Sequence, residues 1–180
     1  MAFLDRDGTL VEERGYLRSI DDLVLLPRAG AAVRWLNERG VAAVLTTNQS
    51  GAARGFYASS HIDALHARLV ALLAQEGAHL DDVRVCRHLP PEEGGVVSPF
   101  NVSCRCRKPG PGLVEDAVAA LDLDLSRAFV VGDKPADVGL GVGLGLPVAL
   151  VLTGYGKTTA RVGASVVVDD VLDAVMWGAA

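Results

Sequence analysis

Phe3-Leu4-Asp5-Arg6-Asp7-Gly8-Thr9 stands near the head of the 180-residue chain. Two apolar residues begin a short strand. They run directly into two carboxylates two positions apart, then a glycine that allows a tight turn. Carboxylates so placed can divide nucleophilic attack and proton handling between them. By itself the pattern is equally a polar turn after an edge strand. What decides the fold is that further polar segments follow apolar runs in the same way. Thr46-Thr47-Asn48-Gln49-Ser50-Gly51 follows the apolar run 41–45, and its hydroxyls and backbone N–H groups can form a neutral phosphate cradle. Gly132-Asp133-Lys134-Pro135-Ala136-Asp137 follows Phe129-Val130-Val131, and its hard oxygen ligands suit Mg²⁺. Between them, Arg107-Lys108-Pro109 offers a planar fork and a point charge for phosphate.

Working outward, short apolar runs alternate with amphipathic ones. Strands are expected at 41–45, 83–86, 128–131, 147–152 and 166–168. Helices are expected at 27–39, stopped by Gly40, and from a Ser59 or Ser60 cap to about Glu76. Ile62, Leu65, Leu69 and Leu72 fall at helical spacing along the second. A third helix is expected at 113–121, and a last one, capped by Asp169 or Asp170, runs toward Trp177. A loop rich in Pro, Gly and Ser occupies 89–102. This alternation predicts one α/β domain over 1–180: a Rossmann-like parallel sheet with helices on both faces. Ligands bind such sheets outside the carboxyl ends of the strands, where the polar segments fall.

Half of the residues are hydrophobic but only 5% are aromatic, so the core must be built from Ala, Val and Leu. The net charge of −5 argues against a nucleic-acid or anionic-membrane surface. No apolar run reaches the length of a membrane span. The first residues lack the basic start and long apolar stretch of a secretory leader, so a cytoplasmic location is expected.

Three cysteines make poor disulfide arithmetic. All three lie in Cys86-Arg87-His88 and Cys104-Arg105-Cys106. Two short pairs of soft ligands closing a loop follow the logic of a structural zinc site, with Cys86, His88, Cys104 and Cys106 as ligands and 86–106 as the zinc loop. Two other signals fail. Gly154-Tyr155-Gly156-Lys157-Thr158 lacks the first glycine of a phosphate-binding P-loop, since Val151 stands there. The glycines from Gly139 to Gly145 give no dinucleotide-binding frame. They are expected to shorten or distort the helix they occupy, at about 1 kcal/mol each against Ala.

Taken in order, the four segments resemble the motifs of the haloacid dehalogenase superfamily, through Asp5/Asp7, Thr47, Lys108 and Asp133/Asp137. The zinc loop leading into Arg107-Lys108-Pro109 is similar to the capless, zinc-containing subgroup, which holds heptose 1,7-bisphosphate and histidinol-phosphate phosphatases. The intervals between motifs leave no room for a separate cap domain. The resemblance implies a Mg²⁺-dependent phosphatase with Asp5 as nucleophile and Asp7 as the proton-handling group. It implies Thr47 and Lys108 on the phosphoryl oxygens. Mg²⁺ would be held by Asp5, Asp133 and, through its backbone carbonyl, Asp7, with Asp137 acting on the metal or its waters. It also implies substrate contacts at Glu13, Arg14, Gly15, Tyr16, Asn48, Gln49, Ser50, Arg107 and Lys134. Arg107 is expected on a distal phosphate, assisted by Arg14 or Arg54. The expected substrate is a small phosphorylated metabolite, first a heptose 1,7-bisphosphate losing its 7-phosphate, and the expected state is a monomer. Alternatives are histidinol-phosphate hydrolysis or a non-catalytic zinc-binding interaction module.

Overall fold

A computed structural model describes residues 1–180. Its core is one six-stranded sheet of β1 (Ala2–Leu4), β2 (Ala43–Asn48), β3 (Asp82–Cys86), β4 (Phe129–Gly132), β5 (Val148–Val151) and β6 (Val166–Val168). All pairings are parallel, in the order β3-β2-β1-β4-β5-β6. Five helices connect them: α1 (Ala29–Glu38), α2 (Ser59–Gln75), α3 (Gly112–Leu121), α4 (Pro135–Leu144) and α5 (Val171–Gly178). Beyond these the chain forms short 3₁₀ turns and loops, with no inserted cap domain.

The period of two along each strand sorts side chains to opposite faces. Ala2, Leu4, Ala43, Leu45, Phe129, Val131, Ala149 and Val151 pack with α1, α2 and α5 in one core. Phe3, Val44, Val130, Val148 and Leu150 pack with α3 and α4 in the other. Both faces are covered, which is why the strands read as continuous apolar runs.

Several boundaries differ from the sequence expectation. β2 starts later and runs through Asn48, because Thr46, Thr47 and Asn48 continue the pairing with Arg84, Val85 and Cys86. α1 starts at Ala29, since Arg28 sits in the left-handed region at φ 66° and cannot be helical. At α2 the cap position is Ala58, with no side-chain cap. Asp170 does cap α5, accepting from the N–H groups of Leu172 and Asp173. α4 is not shortened by its glycines. It keeps ten residues and ends at Gly145. A Cβ on Gly141 would overlap Val148, so the glycine lets the helix lie close on β4 and β5.

Candidate active site and metal centre

β1 lies between β2 and β4, and the strand order reverses across it. That reversal opens a crevice at the carboxyl ends of β1 and β4. Asp5 follows β1 there, its N–H still on the ladder to Val131 O at 3.0 Å. Asp133 follows β4. A cavity of about 320 Å³ at this end is lined by Asp5, Asp7, Glu13, Asn48, Lys108 and Asp137, among others. A larger cleft of about 610 Å³, around Arg39 and Trp177 at the amino ends of the strands, contains none of the motif residues.

The charged centre is almost dry: Asp5, Lys108, Asp133 and Asp137 are each at most 4% exposed. Lys108 Nζ donates to Asp5 Oδ1 at 2.9 Å, to Asp137 Oδ1 at 2.6 Å and to Thr46 O at 2.7 Å. Burial opposes its charge, but Asp137 and Asp5 outweigh burial and hold its pKa above the ordinary lysine value. Burial likewise works against the Asp5 carboxylate, yet Lys108 and Lys134 keep its pKa below the usual range. Asp133 goes the other way. Burial and the nearby Asp5 charge push it up to about 7.

Carboxylate oxygens of Asp5, Asp133 and Asp137 lie within 4.8 Å of one another. Asp133 Oδ2 accepts from the Tyr155 N–H at 2.7 Å, while its Oδ1 is buried without a partner. Asp137 is occupied on both oxygens, by Lys108 and by the Lys134 N–H at 3.0 Å. Asp7 does not join this group. Its carboxylate turns to Arg6 and Gln49, with Gln49 Nε2 at 2.7 Å from Oδ2. Asp7 still lines the cavity, and its backbone carbonyl lies 3.5 Å from Lys134 Nζ. Gly8, at φ 84°, is required here, because a Cβ would overlap the Asp133 carboxylate.

The other expected contacts separate. Glu13, Gly15, Tyr16, Gln49, Ser50, Arg107 and Lys134 line the cavity. Glu13 binds Lys134 Nζ at 2.6 Å and the Gly15 N–H at 2.7 Å. Asn48 reaches the cavity wall, but its amide clamps the Lys108 backbone in both directions, at 2.9 and 3.0 Å. Thr47 sits behind the wall, 1% exposed, accepting from Gln49 Nε2 at 2.9 Å. Arg14 points away and pairs with Glu12 at 2.6 Å. Arg54 lies over the Tyr16 ring at 5.9 Å rather than on the wall. Arg107 pairs with Glu93 through Nε at 3.3 Å and leaves Nη1 buried without a partner.

Two groups escaped the sequence reading. Arg6 is 1% exposed beneath Asp7; a charge in a turn motif gives no sign of burial. The segment 153–159, which contains the failed P-loop signal at 154–158, is the clamp on Asp133. Besides the Tyr155 N–H, Thr159 Oγ1 donates to Asp133 O at 2.8 Å, and Thr153 Oγ1 donates to Gly8 O at 2.5 Å.

Cys86, at the end of β3, gathers with His88, Cys104 and Cys106. The sulfur–sulfur separations are 3.0 to 3.6 Å, and His88 Nδ1 is 3.3 Å from Cys106 Sγ and 3.9 Å from Cys86 Sγ. Zinc–sulfur bonds of about 2.3 Å in a tetrahedron put ligand atoms about 3.5–3.8 Å apart. The four atoms are near that spacing.

The HAD-hydrolase-like family model matches residues 105–174. D-glycero-D-manno-heptose-1,7-bisphosphate 7-phosphatase of Thermosynechococcus vestitus is 46% identical over 155 residues, covering 86% of this chain and 79% of that protein. D-glycero-beta-D-manno-heptose-1,7-bisphosphate 7-phosphatase of Rhodopseudomonas palustris is 38% identical over 146 residues, covering 81% and 79%. A crystal structure of D,D-heptose 1,7-bisphosphate phosphatase from B. bronchiseptica, complexed with magnesium and phosphate, superposes with a TM-score of 0.84 at 31% identity, covering 97% of this chain and 95% of that one.

Proposed function

Given that the chain belongs to the HAD-like heptose-1,7-bisphosphate 7-phosphatase family, we propose that it removes the 7-phosphate of a D-glycero-D-manno-heptose 1,7-bisphosphate through a phosphoaspartyl intermediate on Asp5. One observation carries the reading. Asp5 is pinned by Lys108 at the cavity floor, while Asp133 Oδ1 beside it is buried with no protein partner. An unpaired carboxylate oxygen in a dry cluster calls for a cation. Asp5, Asp133 and the Asp7 carbonyl would hold Mg²⁺, which supplies charge neutralisation at the phosphoryl group.

The protein's own groups account for the rest. The Asp5 oxygen not held by Lys108 attacks phosphorus as the bond to the sugar oxygen breaks. Asp7 gives its proton to the departing alkoxide, then takes one from the water that attacks phosphorus and releases Asp5. Lys108 neutralises the transferring oxygens, and positioning and charge supply most of the catalysis. Arg107, with Nη1 buried and unpaired, serves the distal phosphate. Of the two assisting candidates, Arg14 is paired with Glu12, whereas Arg54, like Arg107, has a buried side-chain nitrogen without a partner and stays as the assisting cation. Cys86, His88, Cys104 and Cys106 hold a structural zinc that fixes the loop carrying Arg107 and Lys108.

Phosphate release from the heptose bisphosphate, heptose monophosphates and histidinol phosphate tests this reading. The bisphosphate should have the highest kcat/KM, and Asp5→Asn should abolish turnover. Arg107→Ala should cost the bisphosphate at least tenfold more than a monophosphate, as expected for losing one charge-assisted contact. Near-normal activity of Asp5→Asn would disprove the covalent route. Equal losses on both substrates in Arg107→Ala would remove Arg107 from the distal phosphate.

A further inference from the structure

Arg6 is a full charge with 1% exposure, and nothing in phosphoryl transfer as derived above uses it. A buried guanidinium is tolerated only where its N–H groups are satisfied. Nε and Nη2 bracket Asp7, at 3.1 and 3.0 Å from Oδ1, with Nη2 also 2.9 Å from Oδ2. Nη2 donates to Gln49 Oε1 at 2.8 Å, and Gln49 Nε2 returns to Asp7 Oδ2 at 2.7 Å. Nη1 faces Nε2 of His66 at 3.3 Å, on the buried side of α2. Asp7 is thus held on both oxygens, and the side chain holding it is held in turn by a histidine sixty positions away in the chain.

Resting on the assignment of Asp7 as the proton-handling group, we propose that Arg6, backed by His66, is a positioning residue that sets the angle at which Asp7 meets the leaving oxygen and the attacking water. His66 must be neutral, with its proton on Nδ1, to accept from Arg6. Burial, then the charges of Arg6 and Arg87, push its pKa down to about 3, so it stays an acceptor at working pH. α2 is itself anchored from the zinc loop, where Arg87 binds Ser59 and Asp63, about two turns and one turn before His66. The alternative role, a purely structural ion pair, would place no demand on which chemical step suffers when it is lost.

The step-specific signature comes from the leaving group. With 4-nitrophenyl phosphate the phenolate departs without a proton, so formation of phospho-Asp5 needs no acid, whereas its hydrolysis still needs a base. His66→Phe and Arg6→Lys, examined by rapid mixing, should therefore release nitrophenolate in a burst of about one per chain at near wild-type rate, then turn over slowly. On the sugar bisphosphate the same variants should lose kcat by about tenfold to a hundredfold, the scale of a misplaced catalytic group, with KM within about twofold. His66→Gln, whose amide oxygen can accept from Arg6, should restore most of the rate. Asp7→Asn serves as the reference and should show the burst itself. If Asp7→Asn shows no burst, the assignment of Asp7 fails and takes the proposal with it. If Asp7→Asn shows the burst but His66→Phe and Arg6→Lys lose the burst rate, or lose nothing, the positioning role alone is overturned.

Discussion

At the scale of single residues, Lys108 decides whether the site can exist without substrate. It is the only cation bonded to both Asp5 and Asp137, and all three are buried. Replacing it with Met keeps most of the volume and leaves two carboxylates in a dry pocket. Breaking a buried pair from one side costs about 3–5 kcal/mol. Lys108→Met should lower the denaturant midpoint accordingly, and Asp137→Asn added to it should recover part of the loss. Unchanged stability in Lys108→Met would mean the lysine serves the substrate alone. Lys108, Asp5 and Asp133 were legible because each adjoins a characteristic run of sequence. Arg6 and Asn48 were not legible in their roles. Their side chains act on neighbours that only the folded chain supplies, Asp7 from below and the Lys108 backbone from β2.

Among elements, the loop after β3 must be stiff with a single 3₁₀ turn, Pro91–Glu93, as its only regular structure. Hydrogen bonds from the N–H groups of Val96 and Val97 to Ala53 O and from Leu89 N–H to Phe100 O hold its middle. Its end, which carries Arg107 and Lys108, has the thiol–imidazole cluster and the Asn48 clamp. Cys104→Ser should therefore reduce bound zinc from one per chain toward none, raise KM several-fold and speed proteolysis within 89–107. Elemental analysis and limited digestion read this out, and a variant that keeps its proteolytic pattern without zinc would show the loop to be self-supporting. The cluster could be read in sequence because soft ligands at short spacing have few other uses. The glycines of α4 could not. Propensity predicted a weakened helix, but close contact with Pro109 sets Gly139 and close contact with Val148 sets Gly141, and there packing outweighs propensity; nothing in the structure explains Gly143.

Over the whole molecule, alternation of strands and helices was enough to predict a covered parallel sheet, but not its order. That order is what brings Asp133 from β4 beside Asp5 from β1. The price of this convergence is an excess of negative charge: Asp5, Asp133 and Asp137 face Lys108 and Lys134. The imbalance falls on Asp133, whose pKa burial and Asp5 raise to about 7. Unfolded, this carboxyl ionises near its ordinary value of about 4. Between those two values the folded state holds the extra proton, so raising pH through that window removes stability, by up to about 1.4 kcal/mol per unit. Magnesium-free protein should thus lose stability from about pH 4 to about pH 7 more steeply than Asp133→Asn, which lacks the group. Asp133→Asn should be the more stable of the two at pH 7.5 without magnesium. Adding Mg²⁺ should then raise the melting temperature of the wild type, by ligand binding to the folded state only, and leave Asp133→Asn almost unmoved. Melting curves on protein dialysed into magnesium-free buffer decide the matter without measuring catalysis. Equal magnesium-induced shifts in both proteins would place the cation away from Asp133.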